Sequence, residues 1–72
     1  MIVKGTVLYV ELSGGFWGVE DSNGQQWRPE KMPKALQKKG MFVELDCLVS
    51  KKTMSIFMWG TTIQITDYKI IA

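Results

Sequence analysis

Few side chains in this sequence could take part in nucleophilic or metal chemistry, and they are dispersed. The 72 residues include no histidine and a single cysteine, Cys47. A zinc-type site needs several nitrogen or sulfur ligands, so we expect no bound metal. Cys47 lies on the apolar side of an alternating segment, where a buried thiol packs in a core rather than acting as a nucleophile.

The carboxylates also lack a pattern typical of catalysis. Those predicted to face outward or to lie in turns are Glu11, Glu20, Asp21, Glu44, Asp46 and Asp67. General acid–base catalysis needs groups held at a defined separation, and only Glu20 and Asp21 are adjacent. No glycine-rich phosphate loop occurs. We therefore predict that the protein is not an enzyme and uses no cofactor.

The aromatic residues carry a stronger signal, because three tryptophans, three phenylalanines and two tyrosines fall within 72 residues. In the stretch SGGFWGVED, Phe16 and Trp17 are neighbours, and neighbouring side chains of a strand point to opposite faces. Trp17 shares a face with Val19 and is predicted to point inward, which leaves Phe16 outside. The same alternation predicts an inward Trp27. Residues 54–59 are compatible with either parity.

The basic residues are concentrated in two places, although the formal net charge is only +2. Five of them fall within residues 28–39, and Lys51 and Lys52 form a second pair. Such clusters are usually solvated surface. They also attract anionic partners, which keeps a nucleic-acid ligand open.

Periodicity predicts an all-β chain of five strands, or six if the last region divides. In residues 2–12, Lys4 and Thr6 are predicted to point outward, whereas Leu8, Val10 and Leu12 are predicted to form an apolar face opposite Tyr9. That change of parity predicts a bulge or bend near Gly5 and an outward Tyr9. The further strands are predicted at residues 16–21, 25–28, 42–49, 55–59 and 62–71, with the hairpin turn at Ser22-Asn23-Gly24.

One short helix is predicted between the third and fourth strands. Pro33 fits a first helical position and Gly40 a position just past the end, so the helix covers residues 33–39. A five-stranded meander interrupted by a helix after strand three is the layout of the OB-fold, a small barrel. An SH3-like barrel, which normally lacks that helix, is the alternative. The length predicts one domain, residues 1–72.

The segment GGFWGVEDSNGQQWRP, the Met32-Pro33 helix start, Gly40 and the stretch MWGTTIQI resemble a set of small prokaryotic OB-fold-like domains. Members of that set are similar in having a GGF(W/Y)G turn, a D-x-G hairpin and a late MWG(T) stretch. The likeness covers nearly the whole chain, although Met32 stands where the set has leucine. It implies the fold and hardly informs function, because members are mostly uncharacterised.

Two functions follow from these patterns. The first is a non-enzymatic binding module that binds another protein, or itself as a homodimer, through outward aromatic and methionine side chains. An end at Ile70-Ile71 with little charge beyond Lys69 adds an expectation of edge-to-edge strand pairing. The residues predicted to bind the partner are Tyr9, Phe16, Gln26, Arg28, Phe57 and Trp59.

The alternative is binding of single-stranded nucleic acid on the face of strands 2 and 3 that OB-folds use. Aromatic stacking beside a basic track is the required chemistry. The residues concerned are Phe16, Arg28, Lys51 and Lys52. Against this, the positive charge is small for such a protein, and Glu20 shares the face of Phe16.

The start MIVKGTVLYV lacks the order of charge, apolar run and cleavage site that a signal peptide has. No apolar run approaches the ~20 residues of a membrane helix. A lone cysteine suits a reducing compartment. We therefore expect a cytoplasmic protein with no membrane partner.

Overall fold

The computed structural model describes residues 1–12, 14–50 and 59–72. Within them the chain is all-β, as predicted. Its elements are β1 (Ile2–Val10), β2 (Phe16–Asp21), β3 (Gln26–Pro29), a 3₁₀ turn (Lys34–Leu36), β4 (Phe42–Val49) and β5 (Thr61–Ile70). The strand predicted over residues 55–59 falls almost wholly outside the described residues. None of the described segments is a helix long and apolar enough to cross a bilayer.

The five strands close into a barrel in the order β1-β2-β3-β5-β4. Only β1, β2 and β3 follow one another as the predicted meander. The chain then crosses the barrel, so that β4 pairs with β1, and β5 lies between β3 and β4. The β3–β5 pair is parallel and all the others are antiparallel. This connectivity is the Greek-key arrangement of a small OB-fold-like barrel.

The first strand has no bulge, so the bulge predicted near Gly5 as one of two alternatives, a bulge or a bend, is wrong. β1, all of whose residues are described, pairs with β2 and β4 in continuous register. Alternation therefore continues through the strand, and Tyr9 lies on the inner face with Val7 rather than pointing outward. The irregular register lies elsewhere in the sheet, between Asp46 and Cys47 in the pairing of β4 with β5.

The core fills the barrel with side chains from every strand and from the 3₁₀ turn. Trp27 points inward as predicted, and Trp17 packs partly buried against the same cluster. The alternation predicted for β4 is confirmed up to Cys47, whereas Val49 is exposed at the end of the strand. Among the described residues, the buried members of this core cluster are Val3, Val7, Val19, Trp27, Leu36, Val43, Leu45, Cys47 and Ile63.

The helix predicted over residues 33–39 is a single 3₁₀ turn, Lys34–Leu36. An isolated helix of two turns is marginal, and here the backbone is held by β1 instead. The Gly40 N–H donates to the Val7 carbonyl, and the Val7 N–H donates to the Met41 carbonyl, both at 2.8 Å. Hydrogen bonds thus fix the chain to β1 shortly after the turn, and the three-residue 3₁₀ turn is long enough to bury Leu36.

Candidate functional site

The β2–β3 hairpin is organised by one carboxylate, that of Asp21. Its Oδ1 accepts the N–H groups of Asn23 and Gln25 at 2.9 and 3.0 Å, and its Oδ2 accepts the indole N–H of Trp27 at 3.1 Å. The Trp27 bond, helped by the two backbone bonds, holds the pKa of Asp21 below its usual value against an opposing contribution from desolvation. The turn, the buried Trp27 and the strand pair are therefore fixed together.

Three side chains predicted to bind a partner meet on the outer face of β2 and β3. The rings of Phe16 and Trp59 make an edge-to-face contact with centroids 5.4 Å apart and an interplanar angle of 75°. The Arg28 guanidinium carbon lies 5.5 Å from the Phe16 ring centroid. All three are half-buried. We call Phe16, Arg28 and Trp59 the aromatic–arginine patch.

Two glycines, Gly18 and Gly60, allow Trp59 to pack in its observed position. A Cβ built on Gly18 would lie 2.6 Å from Cζ3 of the Trp59 ring, closer than real atoms approach. Gly60, with φ of 69°, passes so close to β3 that a Cβ there would lie 2.8 Å from the Gln26 carbonyl oxygen. The Trp59 ring thus packs directly over the backbone of Gly18.

A groove of about 250 Å³ runs beside the patch. Its apolar walls include Trp17 and Met32, both of which also pack against the barrel core. Its polar groups include a guanidinium, a carboxylate and an amide. The lining residues are Phe16, Trp17, Arg28, Pro29, Glu30, Met32 and Gln37. The groove thus offers apolar contact together with charged groups of both signs.

Tyr9 does not join the patch. It lies directly opposite Trp17 in the β1–β2 register, and the two rings make an edge contact with centroids 5.1 Å apart. This pair lies on the inner face at one end of the barrel. The Tyr9 hydroxyl also lies against Gly15, where a side chain would overlap it. Tyr9 is accordingly a packing residue in this structure.

Of the remaining residues predicted to bind a partner, Gln26 is among the described residues and three others are not. Gln26 is half-buried on the face of Arg28, opposite the exposed Glu20. Phe57, Lys51 and Lys52 lie outside the described residues. The cationic flank of the patch within the described residues is therefore Arg28.

Cys47 has the environment of a core thiol. It is fully buried on β4. Burial raises the pKa of the Cys47 thiol, with a smaller raising effect from Asp46 and a lowering effect from the nearby amino terminus. A buried thiol held in its protonated form is a poor nucleophile.

Comparison of the chain with known protein families, with curated proteins and with solved structures finds no match. The resemblance to small prokaryotic OB-fold-like domains therefore stays a prediction.

Proposed function

We propose that the protein binds single-stranded nucleic acid on the outer face of β2 and β3. One observation supports this above all: Phe16 and Trp59 contact each other beside the Arg28 guanidinium. They do so on the face with which OB-folds bind oligonucleotides. Stacking of a base on an aromatic ring contributes about 1–3 kcal/mol.

The patch is built to bind with little reorganisation. Trp59 rests on Gly18, and Phe16 contacts both the Trp59 ring and the Arg28 guanidinium. Side chains already ordered in the free protein lose little conformational entropy on binding. Both rings remain partly exposed, so a base has surface to stack on. The guanidinium supplies a planar cation that can bind a phosphate or stack on a base.

The charge distribution makes stacking the main source of affinity. A net charge of +2 is small, and the carboxylates of Glu20 and Glu30 belong to the same surface region. Each phosphate neutralised on a single strand contributes a slope of about −0.7 in the logarithmic dependence of the binding constant on salt concentration. We therefore expect a shallow salt dependence, corresponding to about one to three phosphates.

The test is fluorescence anisotropy of a labelled oligothymidylate titrated with protein at low salt. Phe16→Ala and Trp59→Ala should each weaken binding by about tenfold or more, the equivalent of one lost stacking contact. Arg28→Lys keeps the charge but loses the planar group, and it should also bind more weakly. Phe42→Ala removes an exposed ring on β4 and serves as the matched control.

Two results would overturn the proposal. One is the absence of an anisotropy change at low salt with folded protein. The other is an equal loss for Phe42→Ala and Phe16→Ala, which would mean that binding does not depend on the patch.

A protein partner, or a second copy of this chain, is the alternative occupant of the patch. The groove favours it, because Trp17, Pro29 and Met32 could enclose an apolar side chain in the way that buried anchors do at protein interfaces. In that case the oligonucleotide would not bind. If the partner is a second copy, the Phe16→Ala variant would also sediment more slowly than the wild-type protein.

The proposed location is the cytoplasm. A single-stranded nucleic-acid ligand occurs there, and an unpaired Cys47 stays reduced there.

A further inference from the structure

β5 is bordered on both sides along only part of its length. β4 pairs with it from Ile63 to Ile70. β3 pairs with it only as far as Ile63, whose carbonyl accepts the N–H of Glu30 at 2.8 Å. β3 then departs, and a groove of about 500 Å³ opens next to Gln64 and Ile65. Among the described strands, none pairs with the other side of residues 66–70.

The backbone N–H and C=O groups of β5 alternate in direction between the β4 side and the free edge. The N–H of Ile71 donates to the Phe42 carbonyl at 2.8 Å, toward β4. Successive residues direct their backbone groups to opposite edges, so those of Tyr68 and Ile70 point away from β4. The Tyr68 N–H is held at 2.8 Å by the neighbouring carboxylate of Asp67.

The free edge has large apolar side chains. Tyr68 is 41% exposed and Ile70 is 46% exposed, whereas their partners across the β4–β5 pair, Leu45 and Val43, are fully buried. Exposed apolar residues on an unpaired edge are typical of a strand that pairs with another chain.

Charges on the outer face of β5 are satisfied unequally. Asp67 lies directly opposite Asp46, whose carboxylate has the amino group of the chain terminus 3.8 Å away. Like charges directly opposite each other destabilise a sheet, and among the described residues no such cation lies within ion-pair distance of Asp67. Lys69 lies opposite Glu44, which also binds Lys4 at 3.5 Å. Asp67 thus faces another carboxylate in its own strand pair, and a cation delivered from the free edge would stabilise it.

We infer that β5 pairs with β5 of a second copy, antiparallel and centred on Tyr68, to form a twofold dimer. In this register Asp67 of each copy lies opposite Lys69 of the other. The pair occupies a non-hydrogen-bonded position, where side chains are closest. The neighbouring twofold registers, centred on residue 67 or 69, would place Asp67 opposite itself or Lys69 opposite itself. Charge complementarity selects the register centred on Tyr68.

The hydrogen bonds balance in this arrangement. The Tyr68 N–H exchanges the Asp67 carboxylate for the Tyr68 carbonyl of the second copy, and the released carboxylate binds Lys69. The two Tyr68 rings face each other across the twofold axis. Aromatic pairs and opposite-charge pairs directly across a sheet both stabilise it.

A charge-reversal series tests the dimer, by sedimentation velocity over a concentration range reaching about 1 mM. The wild type should dimerise. Lys69→Asp and Asp67→Lys should each raise the dissociation constant about tenfold or more, because each sets like charges face to face at two symmetric positions. The double variant Asp67→Lys/Lys69→Asp should restore association. Lys38→Asp changes the net charge equally, away from the edge, and should dimerise as the wild type does.

A cysteine pair tests the register directly, with a readout that does not depend on affinity alone. Opposite residues in a hydrogen-bonded pair have Cα atoms about 5.5 Å apart, within the range of a disulfide. Tyr68→Cys should therefore form a covalent dimer on mild oxidation. In the proposed register the two copies of position 70 lie roughly 14 Å apart, so Ile70→Cys should cross-link much more slowly.

The inference is overturned by a wild type that is monomeric throughout, by a double variant that stays monomeric while folded by circular dichroism, or by equal cross-linking of the two cysteine variants. Phe16→Ala, which alters the aromatic–arginine patch, should leave this dimer unchanged. The proposed dimer and the proposed ligand-binding surface can therefore be tested independently of each other.

Discussion

The ring of Trp59 occupies the space that a side chain at Gly18 would fill. This contact joins β2 to Trp59, which lies two positions before β5. Gly18 and Trp59 are 41 positions apart in the sequence. The contact also sets the position of Trp59 against Phe16. The patch therefore depends on the absence of one Cβ atom.

Gly18→Ala should displace Trp59 and destabilise the protein by about 1–3 kcal/mol, the usual range for overpacking. Urea unfolding measures the loss of stability, and oligonucleotide affinity should fall with it. In a Trp59→Ala background the same change should be neutral, or stabilising by about 0.5–1 kcal/mol, because alanine is then simply preferred to glycine in a strand. An equal loss in both backgrounds would show that the Trp59 contact is not the cause.

Asp21→Asn should weaken the β2–β3 hairpin in a pH-dependent way. Hydrogen bonds hold the folded-state pKa of Asp21 below its usual value of 3.8. The stability contributed by the charged form is therefore present above that value and is lost as the pH falls through the lower folded-state pKa. The wild type should be the more stable protein at neutral pH, and the difference should shrink in acid below about pH 4. Urea midpoints at pH 7 and below pH 3 measure this, and a constant difference would contradict it.

Leu36→Ala should destabilise the protein by about 2–5 kcal/mol, because it removes a fully buried side chain from the core cluster. Leu48→Ala is the matched control, since Leu48 is 57% exposed on β4, and it should change stability by about 0.5 kcal/mol or less. Thermal or urea unfolding of both variants measures the contrast. Similar losses for the two leucines would contradict the burial assigned to the 3₁₀ turn.

The fold was largely predictable because most strands have one apolar face. In β4 the buried residues Val43, Leu45 and Cys47 alternate with more exposed residues. The Asn23-Gly24 pair marks a turn because glycine readily adopts the positive φ that Gly24 has. β1 was harder, because both of its faces are apolar near its end. Leu8 lies on the outer face opposite Gly18, where Trp59 packs, so alternation there could not distinguish inside from outside.

The sequence predicted the face on which Phe16 and Arg28 lie, but it did not predict the arrangement of the patch, and Tyr9 was placed on the wrong face. Alternation placed Phe16 and Arg28 on one face of β2 and β3. The contact of Phe16 with Trp59 depends on the parallel β3–β5 register, which joins segments far apart in the sequence and has no local signal. The role of Asp21 was missed as well, although an aspartate three residues before a turn glycine is a recognisable local pattern.

The β3–β5 pairing has a thermodynamic consequence for ligand binding. It spans only three residues on each strand, Trp27 to Pro29 against Thr61 to Ile63, and parallel pairing is slightly weaker per residue than antiparallel. Phe16 and Arg28 lie on one side of this seam, and Trp59 precedes the strand on the other. A ligand that contacts all three side chains bridges the seam, and it binds the closed barrel but not the opened one. Local opening and ligand occupancy are therefore linked, so that hydrogen exchange of amides along the seam slows as the ligand concentration rises above its dissociation constant.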